Sequence, residues 1–231
     1  MRTIGLIGGM SWESTVSYYQ VINRQVKLRL GGFHSAKLIL HSVDFAQIER
    51  LQHLQKWQEL AELLADAARG LELAGAECVV ICTNTMHKVA DKVEQATKLP
   101  LIHIADATAK ELVSDKIQKV GLLGTRFTME QDFYRQRIQD KFAIEVLTPD
   151  QSDRDFVHQV IYDELCLGKI NSSSRKNYLN IIQKMYQQGA QAIILGCTEI
   201  ALLINQNDTD IPLYNTTDIH ALAAVDFSLN N

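Results

Sequence analysis

Basic side chains are in the minority: 23 Lys and Arg stand against 27 Asp and Glu, a net charge of −4. A nucleic-acid surface shows as a basic excess, so no nucleic-acid partner is expected. No apolar run approaches the roughly 18 residues of a membrane helix. The opening stretch Met1–Gly9 is interrupted too soon for a signal peptide, so a cytoplasmic protein with no membrane partner is expected. The chain has only 3 prolines, and no Ser/Gly/Pro-rich linker divides it. Its 4 cysteines include no Cys-x-x-Cys and no tight cluster with histidine. That argues against a structural zinc site and, in a cytosolic chain, against a disulfide framework. Gly5, Gly8 and Gly9 do not have the Gly-x-Gly-x-x-Gly spacing and no Walker lysine comes after them, which leaves little room for NAD or ATP. No metal is expected. A hydrophobic fraction of 46% excludes a disordered chain.

What is present is an alternation of short apolar runs with long amphipathic stretches. Strands are expected at Thr3–Ile7, Lys37–His41, Cys78–Ile81, Leu101–Ile104, Lys119–Leu123, Ala143–Leu147, Ala192–Leu195 and Pro212–Tyr214. Tyr178, Ile181, Ile182, Met185 and Tyr186 have the spacing of one helix face, ended by Gly189. Leu54, Trp57, Leu60, Leu64, Ala67 and Leu71 form a similar stripe, ended by Gly75. Strands separated by helices of this size pair in parallel through right-handed crossovers, so the class is α/β.

The two halves resemble each other. Gly8, Gly75, Cys82 and Pro100 recur at nearly constant separation as Gly124, Gly189, Cys197 and Pro212. Their neighbours match too, as in Cys82-Thr83 and Cys197-Thr198. An internal duplication accounts for this better than shared strand–Gly–helix punctuation. The expected architecture is two similar lobes, each a parallel sheet flanked by helices, related by a pseudo-two-fold with the active site between them. Lobe one is residues 1–110 plus 213–231, and lobe two is 111–212.

Each half places a cysteine after a buried apolar strand and before a helix: Val79-Val80-Ile81 into Cys82, and Ile193-Ile194-Leu195-Gly196 into Cys197. The carboxyl ends of parallel strands are where α/β folds bind ligands. A helix start there is expected to lower the thiol pKa. A lone cysteine in this setting is a small buried hydrophobe, but two at equivalent positions form a pair. Paired bases suit inversion of a stereocentre, in which one thiolate removes a proton and the opposite thiol returns one. Backbone N–H groups and hydroxyls at the helix starts suit the resulting carbanion.

Gly8-Gly9-Met10-Ser11, Cys82-Thr83-Asn84-Thr85-Met86-His87 and Gly196-Cys197-Thr198-Glu199 resemble the signatures of the aspartate/glutamate racemase family. The resemblance spans essentially the whole chain and implies a two-lobed α/β enzyme that inverts an amino acid without pyridoxal phosphate, metal or other cofactor. It implies Cys82 and Cys197 as the acid/base pair, and Met10, Thr83, Asn84, Thr85, Thr125 and Thr198 as neighbours of the substrate carboxylate and amino group. Ser11 and Thr128 adjoin them, Ser11 as the cap of the first helix and Thr128 in a capping box with Gln131. Aspartate-specific members hold the side-chain carboxylate with two cations, where this chain has Gln52 and, in Glu164-Leu165-Cys166-Leu167-Gly168, Leu167. Without those cations an acidic side chain forfeits charge-assisted bonds. The resemblance is therefore closest to the broad-specificity amino-acid racemases, with neutral or polar side chains accepted. Aspartate or glutamate racemisation is the alternative, and a homodimer is compatible with either.

Other readings stay open. Glu199 either sets the protonation of Cys197 or orients the amino group, or it is a first-turn acid complementing the helix. His87 tunes the Cys82 thiol or is a capping histidine, and a Cys82/His87 hydrolase would leave Cys197 unexplained. Cys78 and Cys166 read as core packing, and His41 and His103 as satisfied strand-end histidines. A silent two-lobed amino-acid or small-anion binding protein would use the same fold, but it would survive Cys→Ser at both sites.

Overall fold

The computed structural model describes residues 1–230. The chain forms two compact units: Met1–Ile104 with the chain from Thr217 onward, and Ala105–Thr216. The first contains β1 (Ile4–Gly8), α1 (Trp12–Leu30), β2 (Leu38–Ser42), α2 (Phe45–His53), α3 (Trp57–Leu73), β3 (Cys78–Ile81) and α4 (Ala90–Ala96). The second begins with α5 (Ile104–Ser114), β4 (Lys119–Gly124), α6 (Arg126–Glu130), α7 (Asp132–Phe142) and β5 (Glu145–Leu147). It continues through α8 (Gln151–Asp163), α9 (Ser172–Gln187), β6 (Ala192–Gly196), α10 (Ile200–Leu203) and β7 (Leu213–Asn215), before α11 (Thr216–Leu229) returns the chain to the first unit. Among the described residues no helix is long and apolar enough to cross a membrane.

Both sheets are parallel, in the orders β2-β1-β3 and β5-β4-β6-β7. Each unit thus puts its first strand in the centre, its second on one side and its third on the other. Strands of a parallel sheet covered on both faces are continuous apolar runs, and β1, β3 and β6 are buried throughout. One face of the first sheet packs Ile7, Val79 and Ile81 against α2 and α3. The other packs Ile4, Leu6, Cys78, Val80 and Cys82 against Tyr18, Ile22 and Val26 of α1 and Ala221, Ala224 and Val225 of α11. In the second unit Leu123, Ile193, Leu195 and Cys197 pack on α8, α9 and α10. Cys78 is core, as expected, and burial pushes its thiol up to about 12.

Several elements differ from the sequence-based expectation. The strand expected at Leu101–Ile104 is a single parallel bridge, Val79 to Leu101, and Ile104 already opens α5. Past the bond from Ile102 N–H to Val79 O, the backbone bonds to imidazoles instead of a strand. β5 starts at Glu145 rather than Ala143, because Ala143 takes a left-handed conformation (φ 55°) that closes α7 through its N–H to Gln139 O. The α9 stripe is buried except for Tyr186, and Leu54 lies outside α3, exposed at the end of α2. Gly75 and Gly189 come after α3 and α9 with φ of 92° and 97°, a region open to glycine at little cost.

The connection Ile102–Ile104 is anchored by α11. His220 Nε2 lies 2.6 Å from Ile102 O, and Tyr18 Oη lies 2.8 Å from His220 Nδ1. A carbonyl can only accept, so Nε2 carries the proton and the bare Nδ1 accepts from Tyr18. His220 and Tyr18 are fully buried, and the other titratable rings facing His220 include His87, at 5.6 Å between centroids, with His103 behind it. Burial lowers the His220 pKa from 6.5 to about 4. The unfolded chain therefore takes the proton more readily than the folded one. The stability owed to neutral His220 is complete above about 6.5 and drains as pH falls towards about 4, by on the order of 3 kcal/mol. His220→Gln keeps a donor for Ile102 O but does not titrate. In urea unfolding it is expected to lose about 3 kcal/mol less than wild type between pH 7 and pH 4; equal losses would contradict the assignment.

Candidate active site

Cys82 stands directly after β3, and its N–H bonds to Ile7 O at 2.9 Å, extending the β1–β3 ladder by one residue. The side chain is 0% exposed, with Sγ 3.8 Å from Val80 O. Thr83 N–H turns back to Ile81 O at 2.8 Å, and a 3-10 segment runs over Thr85–Val89. Asn84, Thr85 and Met86 are buried in it. Gln52, from α2, is buried and donates from Nε2 to Met86 Sδ at 3.2 Å, so it lies against the Cys82 segment. Met10 packs with Ile7, Ile81 and Met86. Ser11 caps α1, its hydroxyl accepting from Ser14 N–H at 3.4 Å.

Cys197 stands directly after β6 in the second unit and is 8% exposed. Its Sγ donates to Glu199 Oε2 at 3.0 Å, and Thr198 Oγ1 donates to the same oxygen at 2.7 Å. The Glu199 carboxylate is thus buried against the thiol and the Thr198 hydroxyl. Leu165, at the start of the Leu165–Leu167 turn, joins the apolar cluster of Cys197, with Cys166 packed against it, whereas Leu167 is 62% exposed. Thr125, not Thr128, caps α6: Thr125 Oγ1 accepts from Thr128 N–H at 3.4 Å, and Thr128 is fully buried. The cap expected at Thr128 thus falls three residues earlier, at Thr125, because the chain leaves β4 straight into α6.

The expected lowering of the thiol pKa is overturned. Burial pushes Cys82 well above the ordinary thiol range. Cys197 is also raised, by burial first and then by the Glu199 and Cys166 charges. Cys82 leads into one 3-10 segment and Cys197 into the four-residue α10, with no side-chain cap from Asn84 or Glu199. So short an array of peptide dipoles offsets little of the desolvation. The thiols also differ in partner: Cys197 Sγ bonds the Glu199 carboxylate, and Cys82 Sγ lies near Val80 O among apolar side chains of α1 and α11.

His87 lies within the Cys82 segment: Nδ1 is 2.8 Å from Thr83 O, and Nε2 accepts from Ile104 N–H at 3.2 Å. Tyr18 and His220 were not identifiable from the sequence, since the pair is separated by 202 positions and neither sits in a motif. Glu199→Gln is expected to remove the negative charge beside Cys197 and bring its thiol pKa down. The pH profile of iodoacetamide alkylation at Cys197, mapped by mass spectrometry, then moves to lower pH while that of Cys82 stays in place. An unmoved Cys197 profile would show that Glu199 does not control it.

A model of the Asp/Glu/hydantoin racemase family matches residues 7–224. The chain is 22% identical over 234 residues to the broad specificity amino-acid racemase RacX of Bacillus subtilis, with 96% of each chain covered. A crystal structure from Yersinia pestis, described as a candidate Asp/Glu racemase, superposes with a TM-score of 0.94 at 58% identity over 100% of both chains. An aspartate racemase homologue from Pyrococcus horikoshii superposes at 0.83 with 32% identity over 99% of both. The sequence signatures around Cys82 and Cys197, the repeated strand order and these likenesses agree: the chain belongs to the Asp/Glu/hydantoin racemase family.

Proposed function

We propose that the protein racemises α-amino acids by a two-base mechanism, with Cys82 and Cys197 acting on opposite faces of the substrate Cα. The observation that carries the reading is a Cys-Thr pair just past the carboxyl end of the third strand in each of two sheets of like order, with Cys197 one residue further along its ladder than Cys82. The thiolate form of one cysteine removes the α-proton, the electron pair passes into the substrate carboxylate, and the thiol of the other delivers its proton to the opposite face. The first cysteine ends as thiol and the second as thiolate, so the next turnover needs a proton moved between them. Glu199, already hydrogen-bonded to Cys197, is suited to relay it. Burial favours the thiol at both positions, so the abstracting thiolate is the minor form.

The side-chain preference rests on Gln52 and Leu167. Gln52 offers an amide already bonded to Met86, and Leu167 offers an alkyl group, so neither supplies a positive charge for a second carboxylate. Neutral or polar side chains are the proposed substrates, in line with the broad specificity named for RacX. A second reading, aspartate as substrate, is favoured by the likeness to the Pyrococcus horikoshii protein.

Proton NMR in D2O over a panel of L- and D-amino acids tests both readings. Wild type is expected to incorporate deuterium at Cα and accumulate the opposite enantiomer. Inversion is expected to fall by about 10²-fold or more in both Cys82→Ser and Cys197→Ser. Wild-type inversion in both variants would overturn the mechanism, whereas aspartate as best substrate would overturn only the side-chain assignment.

A further inference from the structure

We infer that His87 is a positioning residue for Cys82, a neutral imidazole that fixes the backbone carrying the thiol by bonding Thr83 O with one nitrogen and Ile104 N–H with the other. The inference rests on the racemase reading for its catalytic consequence. Ile104 N–H can only donate, so His87 Nε2 is the bare nitrogen, and Thr83 O can only accept, so Nδ1 carries the proton. His220 holds the opposite tautomer, with Nε2–H on Ile102 O and Nδ1 accepting from Tyr18. The two rings thus hold the backbone on either side of His103, which packs edge-on to His87 at 4.5 Å between centroids. All three histidines are buried. The stretch Ile102–Ile104, which comes after the single bridge between Leu101 and Val79, is held to the Cys82 segment and to α11 by side chains.

Cys82 depends on this arrangement more than Cys197 depends on its own surroundings. Cys197 has the Glu199 carboxylate on its sulfur. Among the described residues no carboxylate is bonded to the Cys82 sulfur, whose neighbour is Val80 O at 3.8 Å. The aim of that sulfur is set by the backbone of residues 82 and 83. Three bonds hold this backbone: Cys82 N–H to Ile7 O, Thr83 N–H to Ile81 O, and His87 to Thr83 O. The first extends the sheet ladder and the second closes the turn that leaves it, and neither involves the side chain at position 87. The third is the contribution of His87, and displacement of a reacting group by about 1 Å costs on the order of 10²-fold in rate.

Two substitutions separate the two bonds. His87→Asn places an amide N–H where Nδ1–H stood and keeps the bond to Thr83 O. His87→Gln places a side-chain oxygen where Nε2 stood and keeps the bond from Ile104 N–H. His87→Gln is expected to lose roughly 10²-fold in kcat for inversion with KM little changed, and His87→Asn to stay within about tenfold of wild type. In His87→Gln, Cα deuterium exchange from the enantiomer whose hydrogen faces Cys197 outlasts inversion, because only Cys82 is displaced. Parallel loss of exchange and inversion in both variants would reduce His87 to a structural residue, and an unchanged His87→Gln would remove it from the mechanism.

Two readouts do not need turnover. Long-range 1H–15N correlation of 15N-histidine-labelled wild type at pH 7 is expected to show His87 as the Nδ1–H tautomer and His220 as Nε2–H. An Nε2–H or doubly protonated His87 overturns the inference. Iodoacetamide alkylation of Cys82 is expected to speed up in His87→Gln relative to His87→Asn, and equal rates overturn it. If wild type exchanged no amino acid, the racemase reading would fail, while these two readouts would still decide whether His87 positions Cys82.

Discussion

Cys82 takes its place from the parallel ladder between β1 and β3, whose last bond is from its own N–H to Ile7 O. A parallel strand cannot end in a tight hairpin, so the residue after it must leave the sheet into a crossover segment. In both units that residue is the cysteine, and the chain then turns through Thr into a short helical segment. Residues Ile4–Ile7 and Cys78–Ile81 are in register, as are Val120–Gly124 and Ala192–Gly196, so Cys82 comes directly after the Ile7–Ile81 pair and Cys197 one residue further along its ladder, after the Gly124–Gly196 pair. Everything further out hangs on those two ladders: the segment clamped by His87, the Gln52 amide on Met86, and the Glu199 carboxylate on Cys197.

Burial dominates the electrostatics at both thiols. The helical segments beyond them are too short to supply a field that competes with desolvation, and at Cys197 the adjacent carboxylate adds to it. At both positions burial favours the thiol over the thiolate. The two sulfurs then differ in how they are held, Cys197 by a side-chain acid and Cys82 by backbone whose anchor includes a neutral histidine.

The sequence alone is enough for the α/β class, for most of the strands and for the two Cys-Thr motifs. These are consequences of local pattern: apolar runs of 4 to 6 residues, helix-period stripes, and glycines such as Gly75 and Gly189 that end helices with positive φ. The internal repeat was legible for the same reason, because equivalent turns demand equivalent residues. Where local pattern misled, a nonlocal partner was responsible. Leu101–Ile104 reads as a strand, but the groups that would extend it bond instead to His87 and His220. Thr128 reads as a cap, but the length of β4 passes that task to Thr125.

Which side chains surround each sulfur was left to the tertiary structure. Glu199 on Cys197 is only two residues away, yet sequence spacing admits a carboxylate pointing to solvent as readily as one on the thiol. Tyr18, His87 and His220 come from α1, the Cys82 segment and α11, and nothing in their local sequence marks them as neighbours. The sign of the thiol pKa shift was decided there too. Chain-local reasoning sees the helix start, whereas the desolvation that outweighs it is summed over packing from distant elements, which exists only in the folded chain.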